Sequence, residues 1–145
     1  MASHQPLVLA LIALNGLVTA WGFRSERIFE RWVFSVRAVQ QGRVLRLLSS
    51  GFLHVSWTHY FFNMVTLYFF AGATIDRLGS AHFLYLYLLS LVAGNLLALL
   101  IHRRQKNYRA VGASGAVSGV VYAAIALYPD MQLALIFLPI PFPAW

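Results

Sequence analysis

Residues 57–75 read WTHYFFNMVTLYFFAGATI, and after five residues, 81–101 read AHFLYLYLLSLVAGNLLALLI. Each run is close to the roughly 20 residues needed to cross a bilayer, and neither contains Asp, Glu, Lys or Arg. Two further runs of the same kind flank them, 6–22 and 110–128. The chain of 145 residues is 60% hydrophobic and only 10% charged, which excludes an ordinary soluble domain. The expected fold class is therefore an all-α, polytopic membrane protein: a helical bundle in one domain, with four complete spans and the start of a further segment. The run at 6–22 has no Lys or Arg before it and no small-x-small cleavage site, so it reads as a retained span rather than a signal peptide.

The segments between the runs carry the charge. Ten of the eleven basic residues fall in loop one (23–56) and loop three (102–109). The net charge of +7 is thus membrane-flanking charge rather than a basic face interleaved with exposed aromatics, and nucleic acid is not an expected partner. In loop one, Arg24, Arg27, Arg31, Arg37, Arg43 and Arg46 alternate with Phe29, Trp32, Phe34 and Leu45, a mixture expected of amphipathic structure in the membrane interface. The connection 76–80 is short, with Leu78-Gly79 as a helix stop, so spans two and three are expected to be antiparallel neighbours. With alternating spans, loops one and three share one side of the membrane. Residues 131–145 hold Pro139, Pro141 and Pro143, which forbid a regular helix, and read as an interfacial loop. Without cysteine there is no disulfide framework and no thiolate site.

Polar groups inside spans are functional suspects because hydrocarbon leaves them unsatisfied. In span two, His59 and Asn63 stand four residues apart, on one helical face. Span four opens with Gly112-Ala113-Ser114-Gly115-Ala116-Val117-Ser118-Gly119. Both spans start from the Arg-rich side, which is expected to set His59 and Ser114 about 5–10 Å below their helix starts, at a common depth. A serine nucleophile for acyl transfer needs donors aimed at the oxyanion, and Asn, His and backbone N–H groups provide them. Taken singly, each element has a plainer reading: Gly and Ala at helical spacing serve tight packing, and a lone Asn or His serves an interhelical hydrogen bond.

Joined in this order, the residues resemble the rhomboid family of intramembrane serine proteases. The likeness rests on Phe52-Leu53-His54, His59-x-x-x-Asn63, Gly72, Leu78-Gly79 and Val111-Gly112-Ala113-Ser114-Gly115-Ala116, with residues 42–48 and Arg46 leading in. It implies Ser114 as nucleophile on a peptide bond of a transmembrane protein substrate. Asn63, His59 and the Ser114 N–H are implied as the oxyanion hole, His54 as a structural neighbour, and no cofactor or metal is implied. The family's general base is a histidine of a later span, so it is expected beyond residue 145, and these residues alone are expected to be inactive. A non-catalytic relative binding membrane clients is the alternative, whereas a transporter would need a row of ionisable groups that the spans lack. Positive-inside counting sets loops one and three in the cytoplasm, and the resemblance sets them on the opposite side. The expected location is the plasma or inner membrane.

Overall fold

The computed structural model describes residues 5–130, 132–135 and 138–143; His4, Met131, Ala144 and Trp145 lie outside the described residues. Two helices are long and apolar enough to cross a membrane, α1 (Gln5–Arg24) and α5 (Trp57–His102). α5 has 46 residues, about 69 Å if straight and more than twice the hydrocarbon thickness. It does not run straight through. Gly79 has φ 79° and ψ 161°, a left-handed, non-helical geometry that a glycine adopts without Cβ strain, and it divides α5 into two limbs. Both limbs contribute to one core. Met64, Leu67 and Ala71 of the first limb cluster with Phe83, Tyr87 and Leu91 of the second, together with Val8 and Leu11 of α1.

The last helix, α6 (Ser114–Leu127), packs on both limbs, with Ala116, Val117 and Val120 buried in the same core. Its 14 residues are fewer than the span expected over 110–128. Arg109 and Ala110 are instead a strand, and Gly112, at φ 124°, turns the chain before the helix starts. Ser114 is therefore the first helical residue, not one set several ångströms below a helix start. The outward faces are apolar: Leu17, Phe69, Tyr85, Leu89, Ile101 and Tyr122 are all more than 60% exposed. An exterior of that kind suits hydrocarbon rather than water.

Loop one is folded. It contains α2 (Glu26–Trp32), β1 (Phe34–Ser35), α3 (Val36–Gln40), α4 (Arg46–Ser49) and a 3₁₀ turn at Ser50–Phe52. Ser25 and Ser35 accept hydrogen bonds from Ile28 N and Ala38 N, capping α2 and α3. β1 pairs antiparallel with β2 (Arg109–Ala110), Phe34 opposite Ala110 and Ser35 opposite Arg109. Gln40 donates to Arg103 O, Lys106 donates to Gln40, and Arg109 pairs with Glu30. These links join loops one and three on one end of the molecule, as the alternation of the apolar runs predicts.

Beyond Asp130, β3 (Gln132–Leu135) pairs antiparallel with β4 (Leu138–Pro143). Residues 131–145, expected as an irregular interfacial loop, thus include a strand pair. The absence of a helix across the three prolines agrees with their fixed φ and missing N–H groups.

Candidate active site

Ser56 caps the N-terminus of α5, its hydroxyl accepting from the backbone N–H of His59 at 3.1 Å. His59 is consequently held in the first turn of the helix, facing the turn that leads into α6. There it meets Gly112: a Cβ built on Gly112 would lie 2.6 Å from His59 Cε1 and 3.0 Å from Nε2. The imidazole therefore packs on the Gly112 α-carbon, two residues before Ser114. His59 Nδ1 is buried without a hydrogen-bond partner among the described residues. Asn63 lies one turn further along the same face, buried, with Nδ2 donating to His59 O at 3.0 Å. Ser114 is exposed at the first position of α6, where the first-turn N–H groups lack intrahelical acceptors and the helix dipole favours negative charge. Thus the structure brings His59 against the Ser114 turn, while Asn63 is bonded within its own helix.

The turn is held from the opposite side by a polar chain through His54. Ala113 N–H donates to His54 Nε2 (3.4 Å), so Nε2 is unprotonated and Nδ1 carries the proton. Nδ1–H then donates to Thr19 Oγ1 (2.9 Å), whose hydroxyl donates to Phe52 O (3.2 Å). Gly112 N–H donates to Ser50 O at 3.0 Å, and Asn95 Nδ2 donates to Leu47 O and Ser50 Oγ. Span one, loop one and the second limb of α5 all converge on the backbone just before Ser114.

His54 is fully buried against the His59 and Tyr60 rings, with centroids 5.1 and 5.5 Å away. Burial first, and the neighbouring His59 second, push its pKa down to about 4. The unfolded chain takes up a proton near the ordinary histidine pKa while the folded chain does not. The stabilisation from neutral His54 is therefore complete above about pH 6.5 and lost as the pH falls toward 4, by up to about 3 kcal/mol. Thermal unfolding in micelles is expected to show Tm falling across that window. His54→Leu is expected to melt lower at neutral pH with a flatter acid slope; an equally steep slope in that variant would remove His54 as the cause.

Several of these polar residues are not singled out by the sequence reading. Asn15 and Thr19 of α1 are both fully buried, and Asn15 Nδ2 donates to Leu11 O and to the Tyr87 hydroxyl. Their four-residue spacing in an apolar run is the same signal that marks His59 and Asn63.

A family model described as the Rhomboid domain matches residues 41–145, the segment that holds His54, His59, Asn63 and Ser114. The chain belongs to the rhomboid family. Among relatives, RHOMBOID-like protein 12, mitochondrial, of Arabidopsis thaliana is 29% identical over 96% of this chain and 47% of its own length. The presenilin-associated rhomboid-like protein, mitochondrial, of Mus musculus is 31% identical over 97% of this chain and 38% of its own. A putative rhomboid protease, YdcA, of Bacillus subtilis is 36% identical over 85% of this chain and 64% of its own. The chain thus spans about half the length, or less, of the mitochondrial relatives. It is an integral membrane protein of this family, and the expected plasma-membrane location finds no support among relatives whose names are mostly mitochondrial.

Proposed function

We propose that these residues form the nucleophile-bearing part of an intramembrane serine endopeptidase acting on transmembrane protein substrates. Ser114 is the nucleophile; its own N–H, His59 and Asn63 are the oxyanion donors. The two limbs of α5 and the short α6 serve as spans two, three and four. The observation that carries the reading is the His59 ring, with a buried, unpartnered nitrogen, packed on Gly112 two residues before an exposed serine at a helix start. A buried polar atom without a partner asks for a functional explanation, and a histidine that donates to the oxyanion in acyl transfer supplies one.

On the family likeness the general base is a histidine of a later span; His54, engaged at both ring nitrogens, is not free for that role. Orientation follows the family likeness, with loops one and three on the extracytoplasmic side or its organellar equivalent.

The test is cleavage of a transmembrane substrate by the full-length protein in vesicles. Asn63→Ala is expected to lower the rate by about 10²-fold with little change in substrate binding. Client binding without cleavage by the wild type would favour a non-catalytic family member instead.

A further inference from the structure

Loop one lines an open cavity of about 720 Å³ that the proposed chemistry does not use. Arg31, Arg43 and Arg46 line it together with the apolar Trp32, Val44, Leu45 and Leu48. The same three arginines also border an adjoining cavity of about 420 Å³, lined in addition by Glu30 and Arg37. Glu30 is the one carboxylate at either cavity, and it is paired with Arg109. Among the described residues, neither Arg31 nor Arg43 forms an ion pair. Arg46 is fixed by donating from Nη1 to Val33 O at 3.1 Å, which orients its guanidinium at the cavity wall. Its pKa is lowered by burial first and by the charge of Arg43 second, with Glu30 opposing the shift only in part.

We propose that this cavity seats an anionic phospholipid, its phosphate held by Arg31, Arg43 and Arg46 and its acyl chains running over Val44, Leu45 and Leu48. Planar guanidinium groups match phosphate oxygens in a two-pronged geometry, and three of them around one anion relieve their mutual repulsion. A soluble anion would have no use for the apolar wall. Val44 and Leu45, 56% and 79% exposed, flank the arginines in a chain whose remaining exterior is suited to hydrocarbon. Basic side chains beside exposed apolar ones at the membrane interface match a lipid, which offers charge and chain together. The lipid would brace the loop that, through Ser50 and Phe52, holds the turn before Ser114.

Native mass spectrometry of the full-length protein in detergent tests this with phosphatidylglycerol, phosphatidylcholine of the same chains, and inorganic phosphate. Phosphatidylglycerol is expected to be retained in preference to phosphatidylcholine and to resist displacement by excess phosphate. The double substitution Arg31→Gln, Arg43→Gln is expected to weaken that retention about tenfold or more, and Arg43→Lys, which keeps the charge but not the two-pronged geometry, to weaken it less. Arg104→Gln, in loop three and lining neither cavity, should change nothing. Equal retention of both lipids by the wild type overturns the proposal without any variant. So does displacement by inorganic phosphate, which would make this a site for soluble anions, or wild-type retention by the double variant.

Discussion

Ser114→Ala in the full-length protein is expected to abolish labelling by a fluorophosphonate probe and to lower substrate cleavage by at least about 10³-fold, with the fold intact. The magnitude follows from the role: without the nucleophile no acyl-enzyme forms, and only binding and oxyanion stabilisation remain. The fold is spared because Ser114 is exposed at the first position of α6, where alanine is compatible with helix. Ser118 supplies the internal control. It stands one turn further on the same face and is also exposed, yet it lies beyond the turn that His59 touches. Ser118→Ala is expected to retain labelling. A Ser114→Ala protein that still reacts with the probe at a wild-type rate would end the nucleophile assignment.

What the sequence made legible follows from physics that is local in the chain. Span length, absence of charge and the Leu78-Gly79 stop mark α1 and the two limbs of α5, and the glycine breaks the helix where its backbone freedom is needed. His59 and Asn63 are legible as a pair because four residues is one helical turn. The start of α6 is not legible in this way. Residues 110–128 look like one apolar run, but Arg109–Ala110 is drawn into a strand pair by Phe34–Ser35, some 75 residues earlier in the chain. Hydropathy cannot register such a partner, so Ser114 emerges at a helix end rather than inside one. The network of Thr19, His54 and Ala113 is invisible for the same reason: its members lie in three separate segments, and only their meeting gives them a role. The buried pair Asn15 and Thr19 was within reach, since polar residues at helical spacing in hydrocarbon demand partners.

Gly112→Ala is expected to impair both stability and catalysis, and the two effects can be separated. At φ 124° an L-residue is strained, a cost of about 1–3 kcal/mol wherever it occurs. Gly42, at φ 89°, has the same kind of backbone but nothing within 4 Å of a built Cβ. Gly42→Ala therefore reports strain alone and is expected to lower Tm while leaving the cleavage rate near wild type. At Gly112 the new methyl would also lie 2.6 Å from His59 Cε1, too close to be accommodated without movement of the ring or the turn. The turn is anchored by Gly112 N–H on Ser50 O and Ala113 N–H on His54, so much of the displacement falls on the imidazole. A shift of about 1 Å in a positioned catalytic group costs on the order of 10²-fold in rate, which is the loss expected for Gly112→Ala beyond that of Gly42→Ala. Melting curves and cleavage rates for the two variants read these components independently. If Gly112→Ala destabilises the protein but cleaves at the Gly42→Ala rate, the contact between His59 and the Ser114 turn is packing, and His59 has no part in holding the oxyanion.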